Sequence, residues 1–435
     1  MMNALGMIGL LIAFVLLVFL AMRGVPILLI GLICSAVVAL TSGLNVYDTF
    51  VGPYMSGYVT FIQSNFLMFL AGALFGRMME ITFGANAIAE FIVGKLGRDK
   101  AILAVVLSCC VLAYGGVSVF VVGFTIYPLA VNLFKEADLP RAFLPGAIGF
   151  GSVTFAMTSP GTPQLQNLIP CETLGTTSMA GTVVGFIVGV FMLIVGYIWL
   201  DRMVKKAIAG GAHFEANAAD MAATGNHENR KLPNPLVAFI PIIVTIVALN
   251  AFKIPAPISI ALSIVVGLVL MFPFYDYRNL FNDFGKGATS AISAITNTSA
   301  VVAFGTVVKA VPAFQTLVDF VTGLPILPLF GAAIAVTVIC GITGSATGGI
   351  GIATPIIGPI YTAMGVPAAA IHRVASIASG ALDSMPHNGY IVTLLNICGC
   401  THKEGYMPLF KLTVILPAAG TVLAVLLFQV FPNLP

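Results

Sequence analysis

Seven stretches of this chain, 4–22, 25–43, 58–80, 178–200, 235–252, 256–274 and 407–432, are predominantly apolar. Each is close to the ~20 residues that carry a helix across the ~30 Å hydrocarbon core of a bilayer. Water would be a poor solvent for the whole. Of 435 residues, 59% are hydrophobic and 8% charged, against about 25% charged in a soluble domain. The predicted fold class is an all-α polytopic membrane protein. A net charge of +3 is too small to suggest a nucleic acid partner. The 45 glycines and 25 prolines predict close helix contacts and interrupted helices. The seven cysteines, mostly inside apolar runs, have no metal or haem spacing and read as packing residues. No cofactor is expected.

Less regular apolar stretches lie at 101–133, 141–175, 287–311, 326–364 and 366–398. Between them, 201–234 is polar and is bounded by Pro233 and Pro235, which divides the chain into 1–200 and 235–435. Each part has two or three spans, an interrupted stretch, a Pro/Gly-rich break and a long final span. Corresponding features recur at roughly 230 residues, a spacing taken from the sequence itself.

Tyr114-Gly115-Gly116 divides 101–133 into halves of about 14 residues, or about 20 Å of helix each, too short to cross. Lys95, Arg98 and Lys100 precede this stretch, and Lys135 and Arg141 follow it. Basic residues on both sides put both ends in the cytoplasm, which predicts a re-entrant hairpin. A single crossing helix would send one of these clusters outside. Continued threading places the 201–234 linker in the cytoplasm. It makes 326–364 a second hairpin, entering from the outer face, with Lys253, Lys309 and Arg373 at or near that face. The result is two inverted-topology repeats of about five crossings each, plus a hairpin, with broken helices at 141–175 and 366–398. Such repeats support alternating access around a site near the midplane.

Four polar breaks are candidates for that site. Tyr114, Gly115, Gly116 and Ser118 offer hydroxyls and a tight turn, with helix packing as the rival reading. Thr158, Ser159, Gly161, Thr162 and Gln164 crowd polar groups into an apolar region, unless the segment is an ordinary loop outside the membrane. Thr343, Gly344, Ser345 and Thr347 precede a helix start at Ala353-Thr354-Pro355 whose N–H groups would face an anion, with a small-residue helix-packing motif as the rival reading. Asp383 and His387, with Asn388, are rare ionisable and amide groups in an apolar stretch, and such groups are functional candidates. Asp383 or His387 would carry a coupled proton; helix capping is the rival for Asp383, and a hydrogen bond to a loop the rival for His387. Glu80, Glu90 and Asp99 are read as flanking helix ends, and His372-Arg373 as interfacial, with attraction of an anion entering from outside as the alternative. Hydroxyls, amides and helix N-termini without a carboxylate cage suit a small organic acid anion and fit a hard cation poorly, so no metal is expected. No Gly-x-Ser-x-Gly or His-Glu-x-x-His motif appears, which argues against an enzyme. A channel would need a continuous pore.

At these breaks the sequence resembles the gluconate permease (GntP) family of the ion transporter superfamily. The resemblance is carried by the half-by-half layout, by Gly344-Ser345-Ala346-Thr347 and by Asp383-Ser384-Met385-Pro386-His387-Asn388-Gly389. It implies proton symport of sugar acids or small hydroxy acids in a bacterial inner membrane. It also implies a homodimer of elevator type, with a fixed scaffold and a moving transport body. Gluconate-type members have a histidine in a Pro-Pro-His-Pro-Gly-Pro-like first break. Here Thr158 to Pro163 keeps the Pro-Gly character without it. The His387-Asn388-Gly389 break is more similar to the branch associated with 3-hydroxybutyrate. A short hydroxy-monocarboxylate is therefore the expected substrate, with sodium-coupled transport of citrate-like acids, the ion held by carbonyls at Gly115 or Gly344, as the alternative.

Overall fold

The structure is a computed structural model that describes residues 2–23, 25–97, 100–217, 220, 231–314, 316, 327–386, 388–432 and 434. Among the described residues every regular element is helical. The first part of the chain runs through α1 (Met2–Met22), α2 (Ile27–Thr41), α3 (Val46–Ile81) and α4 (Gly84–Leu96). A helical pair follows, α5 (Ala101–Tyr114) and α6 (Val119–Glu136). Next comes α7 (Leu144–Gly149), which passes through a π turn (Phe150–Thr154) into an irregular segment at 155–164. That segment leads to α8 (Leu165–Leu174) and the long α9 (Thr182–Ala209).

Among the described residues the second part has three helices rather than four before its pair, and from the pair onward it follows the same succession. It has α10 (Pro235–Asn250), α11 (Ala256–Leu270), α12 (Leu280–Lys309), the pair α13 (Pro328–Thr343) and α14 (Ala346–Ala363), then α15 (Ala368–Ser379). An irregular segment at 380–388, α16 (Gly389–Ile397) and α17 (His402–Val430) complete it. Helix starts 101 and 119 recur at 328 and 346, and 165 recurs at 389.

Among the described residues five helices, α3, α6, α9, α12 and α17, are long and apolar enough to cross a membrane. On α9, Val183, Ile187, Val190, Ile194 and Ile198 are exposed, one per turn, so one stripe of the helix is apolar and unburied. That pattern suits lipid as solvent. Helix ends follow local chemistry. Asn45 Oδ1 accepts from Asp48 N–H at the start of α3, and Asn234 Oδ1 from Leu236 N–H at α10. Thr401 and Glu404 form a reciprocal capping box on α17, so backbone donors at these helix starts are met by side chains.

Several elements depart from the sequence expectation. The second arm of the first hairpin is 18 residues long, not about 14, because the apolar pattern continues to the charged pair Lys135-Glu136. Helix α4 places Glu90 inside a helix rather than at an end. Helix α14 begins at Ala346, not near Pro355; both Pro355 and Pro359 lie within it. Ser345 supplies the cap by accepting from Gly348 N–H at 3.1 Å. Helix α9 continues to Ala209, inside the polar linker. Beyond it, Asp220 is buried and accepts from Tyr127 Oη at 2.6 Å and Arg141 Nε at 3.1 Å. The Asn217 side chain reaches Gly399 O at 2.9 Å.

The main core is built from the two hairpins, the two broken helices, α9 and α17, with further buried residues from α3, α4, α10 and α11. A second cluster joins α1, α2, the start of α3 and the end of α12. Arg77 on α3 pairs with Asp283 on α12 and, at 2.7 Å, with Glu80. The arms of the second hairpin touch at Gly349, where a Cβ would stand 2.5 Å from Cys340 Cα. Backbone cannot give way cheaply at that distance. Gly349→Ala should therefore lower stability by about 1–3 kcal/mol, read as a fall in the thermal unfolding midpoint of the detergent-solubilised protein. An unchanged midpoint would show that the arms are looser than this contact indicates.

Candidate functional site

Each irregular segment lies against the tip of the hairpin from its own part of the chain, and one type of side chain makes the join. Gln164, just before α8, donates from Nε2 to Ala113 O at 2.7 Å and Val117 O at 3.2 Å. Asn388, just before α16, donates from Nδ2 to Gly344 O at 2.9 Å and Asp383 O at 2.9 Å. Its Oδ1 caps α16 through Ile391 N–H at 3.0 Å. A carboxamide is the right group because it satisfies carbonyls that a helix break leaves without donors.

The first tip is further fixed. Tyr114 Oη donates to Pro160 O at 2.8 Å, and Thr162 Oγ1 donates to Tyr114 O at 3.1 Å. Gly116 has φ +95, and a Cβ there would lie 2.7 Å from Pro163 Cγ. Only glycine meets both conditions. Gly161, at φ +80, donates its N–H to Ser178 O and accepts from Asn250 Nδ2, each at 2.9 Å. Ser159 Oγ returns to Phe155 O at 2.5 Å. Gly115 faces Ile242 of α10, so its closeness serves packing. Ser118 begins α6 without a side-chain cap.

The second tip carries the carboxylate. Asp383 is 5% exposed. It accepts from Ser384 Oγ at 2.9 Å and from the N–H of Ala346, the first residue of α14. The anion that this helix N-terminus meets is thus the chain's own side chain. Gly344, at φ +59, ends α13. The Thr343 side chain and all of His387 lie outside the described residues.

The two parts of the chain also meet. Gln166 Nε2 donates to Thr347 Oγ1 at 2.9 Å. Ser376 Oγ on α15 donates to Gln166 O at 2.9 Å. His372 lies between Thr176 Oγ1, 2.6 Å from Nδ1, and Asn167 Oδ1, 3.2 Å from Nε2. Arg373 donates to Thr158 O, Ser178 O and Ala180 O. Both residues are 0% exposed, which corrects their interfacial reading: the carbonyls of the first break replace water as acceptors. Two buried polar atoms here have no partner, Thr158 Oγ1 and Gln166 Oε1. Gln166, Asn167 and Ser376 do not emerge as site residues from the sequence, and His372 and Arg373 emerge only in the alternative to their interfacial reading. The rule that marks Asp383, a rare ionisable group in an apolar stretch, applies equally to His372 and Arg373.

Among the described residues no group of three or more metal-ligating side chains occurs. An open cavity of about 460 Å³ lies apart from the breaks, between the end of α3, α6 and the start of α12, with Arg77, Glu80, Asp276 and Asp283 on its walls.

The fold is similar to two solved transporters. It matches the YdaH transporter of Alcanivorax borkumensis with a TM-score of 0.60 at 12% identity, covering 89% of this chain and 90% of that one. It matches MtrF of Neisseria gonorrhoeae with a TM-score of 0.55 at 14% identity, covering 90% and 86%. At these identities the likeness concerns the fold. In sequence, the chain is 34% identical over 457 residues to the transporter YxjC of Bacillus subtilis, covering 95% of this chain and 97% of that one. It is 27% identical over 377 residues to a transporter of Haemophilus influenzae, covering 83% of each. Residues 5–256 match the GntP family permeases. Permeases move solutes and do not transform them, and a multi-pass helical fold is built for such movement. This chain belongs to the GntP family of permeases and is a membrane transporter, not an enzyme.

Proposed function

We propose that this permease imports a small organic acid anion, a short hydroxy-monocarboxylate or a sugar acid, by proton symport across the bacterial inner membrane. The hairpins α5–α6 and α13–α14 are re-entrant and enter from opposite faces. The two parts of the chain, 1–200 and 235–435, are inverted repeats joined by a cytoplasmic linker. The hairpins and broken helices form a transport body that moves against a scaffold of the remaining helices, in a homodimer. The recurring order of elements and the basic flanks of the first hairpin support this arrangement.

One observation carries the coupling. Asp383 occupies the N-terminus of α14 through Ala346 N–H and has no cationic partner among the described residues. An ionised Asp383 and a substrate carboxylate would compete for that N-terminus and repel each other. A proton on Asp383 removes the competing charge, so substrate and proton bind together. Thr158 Oγ1 and Gln166 Oε1, unpartnered beside the first break, offer one donor and one acceptor to the substrate's hydroxyl group. The other proposed contacts come from Tyr114, Gly116, Ser118, Thr162 and Thr347.

Proteoliposomes with separately imposed ion gradients test the proposal. Labelled 3-hydroxybutyrate should accumulate under an inward proton gradient, accumulate faster as external pH falls, and lose accumulation with a protonophore. Unlabelled citrate should compete more weakly than short hydroxy acids. Accumulation driven by sodium alone would establish the sodium-coupled alternative. Flux that only ever runs downhill would indicate a channel.

A further inference from the structure

Arg373 ranks as the largest of the fully buried side chains among the described residues, and no carboxylate pairs with it there. Its hydrogen bonds run entirely to backbone. Nε donates to Ala180 O at 2.9 Å, Nη1 to Thr158 O at 2.6 Å, and Nη2 to Ala180 O at 2.7 Å and Ser178 O at 3.2 Å. Its neighbours leave room for it. A Cβ at Gly181, which sits at φ +61, would stand 2.6 Å from Arg373 Cβ, and one at Gly185 would stand 2.9 Å from Arg373 Cδ. Two glycines, one capping α9 and one in its first turn, thus form the trough in which the side chain lies. A guanidinium kept away from water is costly unless something of opposite charge comes to it. Carbonyl dipoles orient it and satisfy its hydrogens, but they leave the full unit of charge uncancelled.

The position of this charge gives it a use. Thr158, whose carbonyl it holds, belongs to the first break and carries the unpartnered Oγ1. Tyr114, at the tip of the first hairpin, lies within electrostatic reach of it. We propose that Arg373 is a positioning residue that fixes the first break and supplies the positive charge for which the substrate carboxylate is the counter-ion, acting through the Thr158 backbone without touching the substrate. The inference rests on the anion-transport reading above and adds the source of its charge selectivity.

The test compares inhibition of labelled 3-hydroxybutyrate uptake by unlabelled 3-hydroxybutyrate and by its neutral amide, 3-hydroxybutyramide. The wild-type protein should prefer the acid. Arg373→Gln should raise KM about tenfold or more, given a unit charge within roughly 10 Å in a low-dielectric site, with a smaller change in maximal rate, and should shrink the acid-over-amide preference. Arg373→Lys keeps the charge without the planar fork and should retain most of that preference. Cys171, within electrostatic reach of the guanidinium, provides a second route if Arg373→Gln does not fold. Cys171→Asp supplies an internal counter-ion with Arg373 in place and should reduce the preference in the same way. A purely structural arginine would lower the amount of folded protein in all three variants and leave the acid-over-amide ratio unchanged, which would overturn the proposal. A wild-type protein that transports but shows no acid preference would instead undo the anion reading beneath it.

Discussion

On the proposed coupling, Asp383→Asn should remove most proton-driven accumulation while leaving exchange of labelled for unlabelled substrate across the membrane. The asparagine side chain retains an oxygen that can accept from Ser384 Oγ and from the Ala346 and Ser384 N–H groups, as the native carboxyl does, so the second hairpin tip keeps its shape. It has no titratable proton and no negative charge. The substrate then finds α14 permanently free of a competing anion, and binding persists at any pH. Concentrative uptake should fall by about two orders of magnitude, because the coupling step is removed rather than weakened. Accumulation that still tracks the proton gradient in Asp383→Asn would assign the proton elsewhere. Asp383→Ala is the less informative change, because it also strands the Ser384 hydroxyl and the helix N-terminus.

Gly116→Ala should be among the most damaging single-methyl additions in the first hairpin. Two costs fall on one atom. Left-handed backbone costs a non-glycine residue about 1–2 kcal/mol. The new Cβ would also stand 2.7 Å from Pro163 Cγ, an overpacking cost of about 1–3 kcal/mol. Together they predict a loss of about 2–5 kcal/mol, visible as a lower thermal midpoint in detergent. Transport should fall further than stability, because the displaced tip also carries the carbonyls that Gln164 holds. Gly43→Ala is the control. Gly43 shares the left-handed conformation at φ +72 but has nothing within 4 Å of the added atom, so it should show the backbone cost alone. Equal effects at the two positions would show that the contact with Pro163 contributes nothing.

The elements that are legible in the sequence owe this to strong local signals. Gly115-Gly116 and Thr343-Gly344-Ser345 announce their breaks because glycine and small hydroxyl residues interrupt apolar runs, and the helices do stop there. Asp383 stands out by its rarity. The start of α14 is misplaced by its prolines: Pro355 suggests a first turn, whereas the Ser345 side chain already caps the helix ten residues earlier. What the sequence does not reveal is non-local. Gln164 and Asn388 occupy matching places before α8 and α16 and make matching bonds, yet nothing in their own neighbourhoods says that each will bind a carbonyl of a hairpin tip. Arg373 reads as interfacial because its acceptors, at Thr158, Ser178 and Ala180, are about two hundred residues away in the chain.

The seam between α15 and the first break limits how the molecule can cycle. His372, Arg373 and Ser376 stitch one part of the chain to the other, and Gln166 adds a thread to Thr347. A motion that parted the two parts along this line would strip an imidazole and a guanidinium of every partner on each turnover, with no water at hand to replace them. In the mechanism proposed above, whatever opens and closes would do so around the stitched piece as a unit, and a cargo lodged in it would be ferried rather than handed across.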